Sequence, residues 1–233
     1  MKKNFGILLS PLLIVGVIMI LASSCKKSES TNNPTESNTV KDIDGNVYQT
    51  VTIGKQVWMV ENLKTTRYND GTSIPNVTDN TVWAGLTTPA YCWYNNDKAG
   101  NINTYGALYN WFAIHTGKLC PIGWHIPTNT EWEELTTYLG PDNIPGKLKE
   151  AGTTHWAIPN TGATNESGFT ALPGGQRSEF GVFDFALWNG EWWTSSEITA
   201  KEAFEIWIAT DLEYVESSME DKKQGFSVRC LKD

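Results

Sequence analysis

The chain has 233 residues, with 18 Lys and Arg against 26 Asp and Glu and a formal net charge of −8. That balance excludes a surface built to hold nucleic acid through a basic patch. A hydrophobic content of 40%, with 11 Trp in it, excludes a disordered chain and is enough for a sizeable core.

Met1-Lys2-Lys3, an apolar run from Phe5 to Ala22, and Ser23-Ser24-Cys25 predict a bacterial export signal over 1–24, with Cys25 lipidated as the first residue of the mature chain. An uncleaved membrane helix is the competing reading, because the run approaches the ~20 residues that cross a bilayer. Both readings put the folded part outside the cytoplasm. The expected place is the cell envelope, on a lipid anchor in the outer membrane rather than the inner, facing the periplasm or the surface. Loss of Lys2 and Lys3 takes the net charge from −8 to −10. Residues 25–39 are polar and predict a flexible tether, and 40–233 has the size of one domain.

The domain opens with alternation of Val47, Val51 and Ile53 with Tyr48, Thr50 and Thr52. Gly54-Lys55 interrupts it before Val57-Trp58-Met59, which predicts a β-hairpin. Asp42, Asp44 and Asn46 have a faint calcium-loop spacing without the downstream acid, and a turn explains them. Turn signals fill 67–103 around a short strand at Cys92-Trp93-Tyr94. A helix is expected over 104–115 on Leu108, Trp111 and Phe112, with His115 at its end.

Leu119-Cys120-Pro121-Ile122-Gly123-Trp124-His125-Ile126-Pro127 is a stiff turn leading into a second helix. Thr128 and Glu131 form its capping box, Trp132, Leu135 and Leu139 share its inner face, and Gly140 stops it. A short helix is expected over 146–152, then a long coil through Leu172-Pro173-Gly174-Gly175-Gln176-Arg177. Strands follow at 191–197, 203–208 and 225–230, expected to form one antiparallel sheet, with Phe226, Val228 and Cys230 on one face. With Cys25 set aside, Cys92, Cys120 and Cys230 allow one bridge. Cys120 with Cys230 is the pairing expected, which leaves Cys92 a buried thiol.

Asn46-Val47-Tyr48, Trp58 to Leu63, Cys120 to Thr128, Glu131-Trp132, Leu172 to Gly175 with Arg177, and Gly225 to Cys230 together resemble the Fibrobacter succinogenes major paralogous domain. The resemblance implies an α+β, C-type-lectin-like fold similar to that of formylglycine-generating enzymes. Two main helices would pack on a twisted antiparallel sheet, with long irregular loops carrying ligand sites. It implies no general activity.

Catalysis finds little support. The paired cysteines that hold copper in formylglycine-generating enzymes have one counterpart, Cys230. His115, His125 and His155 make no hydrolase arrangement, and no Gly-x-Ser-x-Gly occurs. A hydrolase using Asp184, Glu191, Glu197 and Glu205 is the minor alternative. The main expectation is a non-catalytic module that binds carbohydrate, with Trp188 stacking on a sugar face and Asn189, Glu191 and Asp184 taking its hydroxyls. No cofactor is expected. Calcium is a weak variant, because Trp188-Asn189-Gly190 lacks the acid of the lectin signature and Ile158-Pro159-Asn160 lacks its leading Glu. An adhesive or structural protein that binds an envelope protein through the same loops is the second expectation.

Overall fold

The computed structural model describes Met1 and residues 38–233; Cys25, the export signal and most of the tether lie outside them. Strand β1 (Thr39–Lys41) pairs with β2 (Val47–Ile53), which turns through Gly54-Lys55 into β3 (Gln56–Met59). The turn before β2 uses its own acids. Asp42 accepts from the Asn46 backbone at 2.9 Å and the Tyr48 hydroxyl at 2.6 Å, and Asp44 accepts from the Thr66 backbone at 2.6 Å and pairs with Arg67 at 2.5 Å. Asp42 thus serves the turn, and Asp44 ties it to the segment at Thr65, Thr66 and Arg67.

Helix α1 (Asn80–Ala84) is capped by Asp79, β4 (Tyr91–Cys92) stands ahead of α2 (Lys98–Asn101), and β5 (Leu108–Tyr109) pairs with β4. The helix expected over 104–115 is therefore not formed as such. Gly106 sits at φ 75° against Leu63, where a Cβ would lie 2.7 Å from the carbonyl oxygen. Asn110 then caps only the single turn of α3 (Trp111–Ile114), with His115 at its C-terminal end. Tertiary pairing of Leu108-Tyr109 overrode a helical spacing that three apolar residues happened to share.

Strand β6 (Trp124–His125) precedes α4 (Asn129–Leu139). Thr128 and Glu131 close the capping box, and Gly140 ends the helix at φ 82°. Helix α5 (Ile144–Leu148) starts earlier than its sequence signal because Pro145 suits a first turn, and Lys149 already has extended backbone. Among the described residues α4, with 11 residues, stands alone; the other α-helices there have 4 or 5, which corrects the expectation of two main helices.

Strands β7 (Gln176–Arg177) and β8 (Phe183–Asp184) form a small hairpin, and β9 (Asn189–Glu197), β10 (Glu202–Ala209) and β11 (Glu216–Asp221) form a separate three-stranded antiparallel sheet. Strand β12 (Leu231–Lys232) completes the larger sheet, of order β1-β2-β3-β12-β6. The C-terminal strands thus do not make one sheet. Residues 225–227 touch Arg177, Tyr109 and Trp192 through single bridges, and both faces of 225–230 are buried rather than one. The architecture is α+β, with few helices and curled antiparallel sheets.

One aromatic core gathers Trp58, Trp132, Phe169 and Trp192 with Leu135, Ile206 and Ile208. Asn62 Oδ1 accepts from Trp192 Nε1 at 2.9 Å and Arg229 Nη2 at 3.0 Å, and the Arg229 guanidinium lies 4.1 Å from the Phe169 ring centroid. A second core packs around Tyr48, Tyr109, Trp193 and Phe226 and holds the disulfide Cys120–Cys230. Cys92 is a free buried thiol, and burial pushes it up to about 12 against the pull of Arg177.

Candidate functional site: the 180–188 loop

Arg177 builds the base of this loop. Its guanidinium lies between Trp83 and Phe183, 4.4 and 4.7 Å from their centroids, and donates to the carbonyls of Gly181, Val77 and Thr78. Ser178 donates its backbone N–H to Val182 at 2.7 Å, closing the β7–β8 turn with Phe180 and Val182 exposed at its tip. Beyond β8 the chain crosses Gly175 so closely that a Cβ there would lie 2.5 Å from Ala186 N and from Asp184 O. The Leu172-Pro173-Gly174-Gly175 run is thus a cradle for the loop: Leu187 N–H donates to Pro173 O and Gly175 N–H to Asn189 O.

Phe185 and Leu187 hold φ values of 60° and 70°, unusual for bulky side chains. Local hydrogen bonds fix them. Asp184 Oδ1 accepts from Phe185 N at 2.8 Å, Phe185 O accepts from Trp188 N and Asn189 N, and the Ala157 and Thr210 N–H groups bind the carbonyls of Leu187 and Trp188. The outcome is a pinned backbone whose apolar side chains face water: Trp188 is 52% exposed, Leu187 47%, Phe185 44% and Ile158, in the adjoining strand of coil, 77%. Backbone strain of this kind collects where a surface serves a ligand.

The residues expected to act together are divided by the strand that follows. Trp188 and Asp184 are outside, but Asn189 turns inward and donates to Glu191 Oε1 at 3.0 Å, and Glu191 is 5% exposed. The inner turn of these two comes from pairing: Glu191 stands opposite Trp207, and Glu205 opposite Trp193 on one side and Ser218 on the other. Glu191, Glu205 and Glu220 therefore share one face of the β9–β11 sheet, while Trp192, Ile206 and Ile208 take the other. Burial pushes Glu191 up to about 7 and Glu205 well above the ordinary carboxylate range, where the neighbouring acids push it further.

Of the four carboxylates of the hydrolase alternative, Glu191 and Glu205 meet under the sheet, Asp184 lies on the rim and Glu197 is taken by the buried Lys222. Sequence reasoning did not single out Phe185, Leu187 or Ile158; an apolar cluster inside a Gly- and Asn-rich coil is the signal that could have found them. It weighed His125 without its partners: Nδ1 lies 2.7 Å from Asp233 Oδ1 and Nε2 2.9 Å from Glu131 Oε1. With both ring nitrogens engaged, His125 clamps Glu131 to Asp233. Among the described residues no three His, Cys, Asp or Glu side chains are placed to hold a metal ion, and no helix is long and apolar enough to cross a membrane.

No protein with a curated description and no solved structure matches the chain. Residues 51–232 match the family model of the Fibrobacter succinogenes major domain, a span that takes in β3, the disulfide, the Gly175 cradle and the loop that it holds. The chain belongs to the Fibrobacter succinogenes major domain family.

Proposed function

We propose that this is a lipid-anchored envelope protein whose domain binds a ligand without transforming it, and that the ligand seats on the 185–188 loop beside Ile158. One observation carries the reading: a backbone pinned by six hydrogen bonds presents Phe185, Leu187 and Trp188 to water at positive or adjoining backbone angles. A loop already held in its binding shape loses little entropy when it binds. Carbohydrate is the ligand class preferred, with a sugar face on the half-exposed indole of Trp188 and Asp184 as the outward acid. Asn189 and Glu191 drop out as direct contacts in this reading.

A protein partner is the second reading, and the inward turn of Asn189 and Glu191 favours it, because the outer surface becomes more apolar than a sugar requires. The lipid anchor at Cys25, the outer-membrane placement and the C-type-lectin-like classification of the fold belong to the same proposal. The first rests on the Ser23-Ser24-Cys25 site, and the last on a single long helix against curled antiparallel sheets with long pinned loops.

The test is a glycan array probed with the full chain in detergent, with and without calcium, beside Trp188→Ala. Saturable binding that Trp188→Ala abolishes is the expected result. Silence on plant, host and bacterial glycans, with an envelope protein crosslinked at Leu187, would replace the carbohydrate reading with the second. Binding that survives Trp188→Ala would remove the loop as the site.

A further inference from the structure

The inner face of the β9–β11 sheet carries acids that nothing basic compensates. Glu205 is the centre, with Glu191 and Glu220 on its two diagonals. Glu191 Oε1 takes the Asn189 amide and Glu205 Oε1 takes the Ser218 hydroxyl at 2.8 Å, but Oε2 of each is buried with no hydrogen-bond partner. Gln224, itself 8% exposed, donates Nε2 to Glu220 Oε2 at 2.7 Å and leaves its own Oε1 without a partner. Three unmet acceptors in one region call for donors.

The groups that bear on the cluster are acidic or neutral on every side. Asp184 of the β8 end and Tyr94 face Glu191; Glu179 of the β7–β8 turn, Glu202 and Asp221 face Glu220. Lys222, the nearest cation in sequence, is spent on Glu197 and Thr199 O, and Arg177 on carbonyls and Asn80. Two buried carboxylates on one sheet face without a counter-charge cannot both ionise cheaply.

We propose that Glu191 and Glu205 form a proton-held latch beneath the ligand loop, so that ligand binding there is strong when the pair keeps its proton and weakens as the proton leaves to solvent. This rests on the loop being the ligand site. The mechanical link is short. Asn189, which Glu191 holds, directly follows Trp188, and Tyr94, which faces Glu191, takes a hydrogen bond from the backbone of Ala186. A proton on the pair supplies a donor to an unmet oxygen. When it goes, repulsion between the two carboxylates acts at the start of β9, and the first group it can move is the Asn189 side chain under the loop.

The experiment uses full-length protein labelled with 5-fluorotryptophan, with Trp188→Phe identifying the Trp188 resonance. Fluorine NMR is followed from about pH 5 to about pH 9, spanning the range in which a raised carboxyl titrates. The Trp188 resonance should titrate in the parent protein, stay at its acid-form position in Glu191→Gln, and titrate with a lower midpoint in Glu205→Gln, where a single acid of the pair is left. A denaturant midpoint that falls with pH less steeply in Glu191→Gln than in the parent, the remainder coming from Glu205 and His125, is the second expected result. A Trp188 resonance that is flat with pH, or that titrates identically in both variants, would overturn the latch. Glycan silence with the titration intact leaves the latch standing and removes the carbohydrate reading; glycan binding with a flat titration does the reverse.

Discussion

The turn at 119–128 and the loop at 180–188 are both stiff, and they use stiffness in opposite ways. In the turn the groups that bond are consumed inside the protein, and Ile122 alone of its large apolar side chains is left exposed. Cys120 is bonded to Cys230, Thr128 and Glu131 cap α4, His125 joins Glu131 to Asp233, and the Asp233 backbone N–H returns to Gly123 O. In the loop the backbone groups are consumed and the side chains are left over. Phe185, Leu187 and Trp188 contribute little to the core they border, which is the pattern of a surface kept for something outside the molecule.

The sharpest way to break the comparison is to open the turn. Cys120 and Cys230 are separated by 110 positions, and a loop of that length predicts a loss of about 4–5 kcal/mol in Cys120→Ser with Cys230→Ser, read from urea denaturation. Thr128→Ala should cost about 1 kcal/mol by removing the α4 cap, measured in the same way. A smaller effect is expected at His125. Partial burial opposes its charge, but Asp233 and Glu131 outweigh that and hold its pKa above the ordinary value; for Glu131 partial burial is outweighed by hydrogen bonds from Thr128 and His125, and its pKa is lowered. The His125 contribution is complete below its unfolded value of 6.5 and is lost as pH rises through the higher folded one. The Glu131 contribution is present above 4.5 and is lost as pH falls through the lower folded one. The clamp is therefore strongest between those two values, and His125→Gln should flatten the pH profile of the unfolding midpoint on its alkaline side. Least of all should change in Trp188→Ala, whose stability is expected within about 0.5 kcal/mol of the parent while ligand binding disappears. A Trp188→Ala protein that unfolded like the disulfide variant would show that the loop belongs to the core, and the contrast would fail.

Local chemistry made the turn legible. The capping box needs Thr128 and Glu131 three apart, the stop needs Gly140, and the hairpin needs alternation around Gly54-Lys55; each is written within a few residues. The 104–115 helix was misread because pairing of Leu108-Tyr109 with Tyr91-Cys92 is a long-range fact that periodicity cannot express. The site was half legible. Trp188 and Asp184 are outside, as a polar aromatic loop suggests, but the register of β9 on β10 puts Glu191 on the buried face that Glu205 shares, and a one-residue slip would reverse it. Arg177 and Arg229 show the same gap: arginine in sequence reads as surface, and stacking on Trp83, Phe183 and Phe169 puts both inside.

The bond between Cys120 and Cys230 also encloses the exposed loop. Phe180 and Leu187 are side chains that proteases which cut after aromatic and large aliphatic residues would meet at the surface, and both lie between the two cysteines. A cut there leaves a nicked molecule in one covalent piece, which runs as intact chain on a non-reducing gel and separates into two fragments once thiol is added. The loop can be severed in a protease-rich environment without the C-terminal part being shed from the rest of the domain.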